Sequence, residues 1–123
     1  MHNPAALIAA ILALGVGVAH SYLGERYILI RLFRRPDLPH LFGSDVFTKR
    51  TLRFAWHLTT LAFWGLAALL LVLTGGASTA VAGGVIAATF AAAALLTFIG
   101  SRGRHLAWPV FLAIAVAAWS ATH

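Results

Sequence analysis

The sequence contains no cysteine and very few acidic residues. The absence of cysteine excludes disulfide bonds, thiolate metal sites and thioether attachment of haem. The acidic residues number three, namely Glu25, Asp37 and Asp45. Because an activated nucleophile needs a base that is itself oriented by a further polar group, so small a set disfavours hydrolase chemistry.

Charge of either sign is scarce, whereas apolar residues are abundant. Charged residues make up 10% of the 123 positions and hydrophobic residues 61%, against roughly 25% charged residues in an ordinary soluble domain. A chain of this length would bury only about two thirds of its unfolded surface in one core. We therefore expect lipid to cover the remaining apolar surface, and we predict one integral membrane domain over residues 1–123.

Four apolar stretches predict membrane helices, since about 20 apolar residues span the hydrocarbon of a bilayer. The predicted helices cover residues 4–24, 46–74, 78–99 and 105–122. Residues 25–35 mix arginine with apolar side chains, which predicts an extension of the first helix along the membrane interface. The connection before the third helix is so short that this helix must lie antiparallel to the second. The predicted fold class is an all-α, four-helix antiparallel transmembrane bundle.

The positions of the basic residues predict the orientation of this bundle. All nine Lys and Arg residues lie at positions 26–53 and 102–104, that is, in connections 1–2 and 3–4 and in the first two turns of the second predicted helix. By the positive-inside rule, connections 1–2 and 3–4 are cytoplasmic and both termini are outside, in a membrane of the bacterial inner type. This placement of the basic residues indicates membrane topology rather than a surface that binds nucleic acid. Four arginines of the extension are expected to bind anionic lipid head groups, namely Arg26, Arg31, Arg34 and Arg35.

Three histidines lie within or beside the predicted helices, at the same predicted depth. His20 comes late in the first helix, His57 lies one turn beyond Arg53 early in the second, and His105 begins the fourth. At about 1.5 Å of rise per residue, all three lie near the cytoplasmic leaflet. Polar side chains in such helices usually face the interior of the bundle. The sequence therefore predicts a histidine-lined polar site at this end.

Neutral imidazole is a common ligand of transition metals and the axial ligand of b-type haem. We therefore expect a haem b or transition-metal site that serves electron transfer or cofactor handling. His20 and His57 are the predicted cofactor ligands, Arg53 supplies the counter-charge, and His105 is a further metal ligand. In architecture alone, the chain resembles the small four-helix membrane proteins that carry b haem between histidines.

The other polar residues near this level have structural interpretations. Glu25 lies roughly 140° around the helix from His20, so it is expected to pair with Arg53 or Arg26 rather than to bind metal. The hydroxyl groups of three residues are expected to bond carbonyl groups of their own helices, namely Ser21, Thr59 and Thr60.

Three other interpretations stay open at this point. In the first interpretation, the histidines serve only in packing. The absence of an HxxH, HxxxH or ExxH ligand motif favours it. The second is a small homo-oligomeric transporter or an ion or proton channel. Its contact face would be the small residues that recur every four positions in the third helix, which let two helices approach closely. The third is a homodimer partner or accessory subunit of a larger membrane complex.

Overall fold

A computed structural model describes residues 3–123 of the chain. Within this range the backbone is helical apart from short connections, and the pairing of Leu41 with Ser44 is an isolated bridge rather than a strand. The all-α prediction is confirmed. Three of the helical segments are long and apolar enough to cross a membrane, and a shorter apolar helix ends the chain.

The first helix, α1, covers Pro4–Leu23. Asn3 caps it, since the Asn3 side chain accepts a hydrogen bond of 2.9 Å from the main-chain nitrogen of Ala5. The helical path continues as a π-helical segment at Gly24–Leu29 and a short α-helical turn at Ile30–Leu32. The predicted extension at 25–35 is thus helical as far as Leu32, and the wider π turn within it is a feature that the sequence pattern does not predict.

The remaining helices are α2 at Val46–Thr74, α3 at Thr79–Ser101 and α4 at Ala107–Thr122. Gly76 adopts a φ of 75° in the turn after α2, a conformation that glycine takes without strain. Ser78 then caps α3 by accepting a hydrogen bond from the main-chain nitrogen of Val81. Two left-handed residues, Arg102 and Gly103, end α3. The helix therefore ends two residues beyond position 99, where the sequence predicts its end.

The four helices form an open row of antiparallel pairs. In residues 3–123, α1 contacts α2, α2 contacts α3 and α3 contacts α4, whereas α1 contacts neither α3 nor α4. A glycine allows close approach in each contact: Gly17 of α1 lies against Trp64, Gly65 of α2 against Thr89, and Gly83 of α3 against Thr122. The arrangement is compatible with a helical bundle, and it leaves one side of each end helix without a protein neighbour.

The interior of the row consists mainly of small side chains, and the large apolar side chains point outward. Ala10, Ala67 and Ala94 are buried, whereas Leu12 is 66% exposed and Ile99 is 64% exposed. A soluble domain places its large apolar residues in the opposite way. An exterior of this kind suits an apolar surrounding such as lipid.

Candidate functional site

A chain of polar contacts crosses the interface between α1 and α2. The Ser21 hydroxyl oxygen lies 2.8 Å from Nδ1 of His57 and 2.6 Å from the hydroxyl oxygen of Thr60. The Thr60 hydroxyl donates in turn to the main-chain oxygen of Gly17 at 3.0 Å. These contacts are partly or fully buried, where water is not a ready partner. They therefore satisfy polar groups that would otherwise lack a hydrogen bond.

Glu25 extends this chain toward the charged end of the helices. The Arg53 guanidinium group contacts both carboxylate oxygens of Glu25, at 2.7 Å from Nη2 and 3.2 Å from Nε. Nε2 of His57 lies 3.3 Å from the same oxygen that receives the Arg53 Nε–H. The predicted pairing of Glu25 with Arg53 is therefore present, and His57 joins it.

The spacing of these residues explains why they meet. Ser21 and Glu25 are four residues apart, so they lie one above the other on the face that α1 and its π-helical continuation turn toward α2. Arg53, His57 and Thr60 follow at intervals of four and three residues, which places them on one face of α2. Antiparallel packing then sets Glu25 opposite Arg53 and Ser21 opposite His57.

A groove of about 510 Å³ lies beside this polar chain. Its apolar wall consists of Val18, Tyr22, Ile30 and Trp64. Its polar side chains, here called the polar strip, are Ser21, Glu25, Arg26, His57 and Thr60. All of these except Arg26 are joined by the contacts described above. The Glu25 side chain is 31% exposed and that of His57 is 28% exposed, so both remain within reach of a molecule in the groove. Ligand pockets typically combine such an apolar lining with a few convergent polar groups.

His20 lies on another side of the same helix pair. Its ring stacks on the indole of Trp56, with centroids 4.6 Å apart and planes within 4°. Its Nε2 lies 3.2 Å from the main-chain oxygen of Trp56, while the Trp56 indole donates to the main-chain oxygen of His20 at 2.9 Å. His20 thus joins α1 to α2 by stacking and hydrogen bonding.

His105 is placed apart from the other two histidines, between α2 and the start of α4. Its ring stacks against Phe47 and meets Phe54 edge-on, with centroid separations of 5.9 Å and 5.2 Å. Nδ1 of His105 accepts a hydrogen bond from the main-chain nitrogen of Ala107 at 3.1 Å. It therefore satisfies one of the free N–H groups in the first turn of α4.

The three histidines do not converge as the metal prediction requires. In residues 3–123, no three His, Asp or Glu side chains form a group that could hold a metal ion. A haem between His20 and His57 needs a free ring nitrogen from each. Nε2 of His20 contacts the main-chain oxygen of Trp56, whereas both ring nitrogens of His57 have partners, Ser21 and Glu25. Haem or metal binding at this pair therefore stays a prediction, and it requires His57 to give up one of its two hydrogen-bond partners.

The arginines predicted to bind lipid differ in their surroundings. Arg35 forms an ion pair of 2.6 Å with Asp37, and this hydrogen bond lowers the pKa of the Asp37 carboxyl below its ordinary value. Arg26 and Arg31 lie beside the Tyr27 ring, at 5.8 Å and 6.0 Å from its centroid. Within the described range, neither of them has a carboxylate partner, so both guanidinium groups are available to bind an anionic group.

The predicted hydrogen bonding of two site residues, Ser21 and Thr60, is wrong. Ser21 and Thr60 bond between helices rather than to carbonyl groups of their own helices. The signal that could have identified them is their spacing, since each lies three or four residues from a charged or titratable member of the site.

Comparisons of the chain with known protein families, curated proteins and solved structures find no match.

Proposed function

We propose that the chain is an integral protein of a bacterial inner membrane, with both termini outside and the two basic connections in the cytoplasm. The outward-facing large apolar residues and the length of the apolar helices support insertion. The gathering of all Lys and Arg at one end of the helix row supports the orientation. Arg26 and Arg31 would then lie at the level of anionic lipid head groups.

In this setting, the groove between α1 and α2 binds an amphiphile that is dissolved in the membrane. The observation that carries this proposal is the single polar strip of an otherwise apolar groove of about 510 Å³. The apolar part of the ligand lies against Val18, Ile30 and Trp64, and its head group lies against Ser21, Glu25 and His57. The volume falls in the range of roughly 300–1,000 Å³ that is usual for ligand sites.

A channel through the membrane is less well supported, because the polar contacts occupy only one half of the helix pair. They begin at Arg53 and end at Trp64, whose indole donates to the main-chain oxygen of Leu14. The eleven steps along α2 from Arg53 to Trp64 rise by about 16 Å, roughly half of the hydrocarbon thickness. Beyond Trp64, no described polar contact joins α1 to α2. The site therefore opens toward one side only.

Tryptophan fluorescence tests the proposal directly, because Trp64 lines the groove. The protein is placed in phosphatidylcholine nanodiscs and titrated with dibrominated stearic acid and with its methyl ester, whose bromine atoms quench nearby indoles. We expect saturable quenching by at least one of the two probes, reduced by Trp64→Phe and retained in Trp119→Phe. Quenching that rises linearly, or that is the same in both variants, would contradict binding in the groove.

The open row favours a second candidate, a subunit of a homodimer or of a larger membrane complex. Helices α1 and α4 each contact only one neighbour within the described residues, which leaves a free apolar face at either end of the row. Native mass spectrometry from nanodiscs tests this candidate. A stable dimer or a co-purified membrane protein would support it, whereas a monomer at all lipid ratios would count against it.

A further inference from the structure

A small cleft lies at the basic end of the helix row, and it shares no lining residue with the groove. The connection between the first helical segment and α2, together with the start of α2, forms one wall, and the end of α3 with the turn after it forms the other. The volume of the cleft is about 30 Å³. Since one water needs roughly 10–15 Å³ of a cavity, the cleft has room for about two oxygen atoms of a bound group.

Two arginines from different segments line this cleft. Arg50 comes from α2 and is half-buried, whereas Arg104 comes from the turn after α3 and is exposed. In residues 3–123, the three acidic side chains pair with other basic residues, namely Glu25 with Arg53, Asp37 with Arg35 and Asp45 with Lys49. The two guanidinium groups therefore share one cleft without a carboxylate to balance their charges. An anionic ligand would relieve the repulsion between them.

The side chains of the cleft offer hydrogen-bond donors. A guanidinium group presents N–H groups in a planar fork that matches the oxygens of a phosphate. The Ser44 hydroxyl oxygen accepts from the main-chain nitrogen of Val46 at 3.4 Å, which leaves the hydroxyl proton for a ligand. Ser101 has no such proton, because its hydroxyl donates to the main-chain oxygen of Thr97 at 2.7 Å. Arg50, Arg104 and Ser44 are therefore the donors available to a bound anion.

Backbone and aromatic contacts hold the cleft in shape. The main-chain nitrogen of Leu41 donates to the main-chain oxygen of Ser44 at 2.9 Å, which closes the turn between them. Within this turn, Phe42 has a φ of 57°, a left-handed conformation that is uncommon for residues other than glycine and often occurs at functional sites. Phe42 meets Phe47 edge-on, and Phe47 stacks on His105, with centroids 5.1 Å and 5.9 Å apart. The turn, α2 and the segment before α4 are thus joined around the two arginines.

We propose that this cleft binds a phosphate group, whose oxygens contact Arg50, Arg104 and the Ser44 hydroxyl. A phosphate monoester suits the site best, because its charge of about −1.5 to −2 at neutral pH balances two guanidinium groups. The phosphate is carried either by a lipid, such as phosphatidic acid, or by a soluble molecule. The exposed side chains of Leu41 and Phe42 line the cleft, and they suit contact with lipid. The proposal does not rest on the groove function.

Isothermal titration calorimetry measures the binding of inorganic phosphate to the full chain in phosphatidylcholine nanodiscs. Arg50→Gln and Arg104→Gln should each raise the Kd about tenfold, because each substitution removes charge-assisted hydrogen bonds. Arg102→Gln is the matched control, since Arg102 belongs to the same turn as Arg104 but does not line the cleft. It should leave the Kd nearly unchanged. Circular dichroism checks that all three variants keep their helices.

Native mass spectrometry from nanodiscs that contain phosphatidic acid separates the two sources of phosphate. A phosphatidic acid adduct that is lost in Arg50→Gln and Arg104→Gln, and kept in Arg102→Gln, identifies a lipid as the source. Binding of inorganic phosphate with the same dependence on the variants, and no lipid adduct, identifies a soluble source. The proposal would be overturned if neither inorganic phosphate nor phosphatidic acid bound. It would also be overturned if Arg102→Gln weakened binding as much as the other two substitutions, because the effect would then be one of overall charge.

Discussion

The indole of Trp56 donates to the main-chain oxygen of His20 at 2.9 Å, and the imidazole of His20 contacts the main-chain oxygen of Trp56 at 3.2 Å. The two rings also stack in parallel, so each residue contacts both the side chain and the backbone of the other. The indole lies directly over Gly24, the first residue of the π-helical segment. The pair therefore fixes the register in which Ser21 meets His57.

Trp56→Phe should lower the free energy of unfolding by about 1–3 kcal/mol, because the main-chain oxygen of His20 loses a hydrogen-bond donor within the helix pair. Unfolding by dodecyl sulfate, followed by circular dichroism, measures the change. Trp119→Phe is the control, since Trp119 is 53% exposed. Equal effects of the two substitutions would show that the hydrogen bond to His20 has no special importance.

Gly24→Ala should destabilise the contact between α1 and α2. A Cβ atom at this position would collide with the indole ring of Trp56, and overpacking of this kind costs about 1–3 kcal/mol. Gly15→Ala is a matched control in the same helix, because a Cβ atom there has no neighbour within 4 Å. It should leave stability unchanged or raise it by up to about 1 kcal/mol, through the better helix propensity of alanine. The same unfolding assay compares both variants, and a Gly24→Ala protein as stable as Gly15→Ala would contradict the packing described.

Gly83→Ala should loosen the contact between α3 and α4, because its Cβ atom would collide with the side chain of Thr122. We expect faster amide hydrogen exchange in α4 and little change in α1. The adjacent substitution Gly84→Ala is the control, since its Cβ atom would meet only Trp119, at 3.8 Å. If both variants exchange at the same rate, the close approach at Gly83 does not stabilise the pair.

Acid should weaken the start of α2. Lys49 forms an ion pair of 2.7 Å with Asp45, and its hydrogen bond lowers the pKa of the Asp45 carboxyl in the folded protein. A lowered folded-state pKa stabilises the fold above the ordinary aspartate value of about 3.9, and that contribution is lost as the pH falls through the lowered value. Amide hydrogens in the first turn of α2 should therefore exchange faster, relative to their unprotected rate, in this acidic range. Asp45→Asn should remove this part of the pH dependence. The same pH profile of amide exchange in the variant and the unmodified protein would contradict the role of the Asp45–Lys49 pair.

The sequence predicts the helical class well, because long apolar runs are strong signals that glycine and proline punctuate clearly. The predicted range 46–74 coincides with α2, and the pairing of Glu25 with Arg53 follows from their opposite charges at matched depth. The direction in which His20 points does not follow from depth alone. In alanine-rich helices, periodicity distinguishes faces poorly, so His20 could not be told apart from His57.

The roles of Ser21 and Thr60 were missed for a related reason. A hydroxyl in a helix has a local carbonyl within reach, and only the close approach at Gly17 makes the partner across the interface available instead. The indole that lies against Gly24, the first residue of the π-helical segment, likewise belongs to Trp56, more than thirty residues away in the sequence. Contacts between residues so far apart in the sequence are tertiary, so local sequence patterns do not predict them.

The open row also has a consequence for how the chain assembles. Because each helix contacts only its neighbours along the chain, the contact order is low, and no helix must wait for a distant one before it can pack. The groove and its whole polar strip lie between Val18 and Trp64, within the first hairpin. This hairpin is synthesised and emerges first, so the site can form without waiting for α3 and α4 to pack.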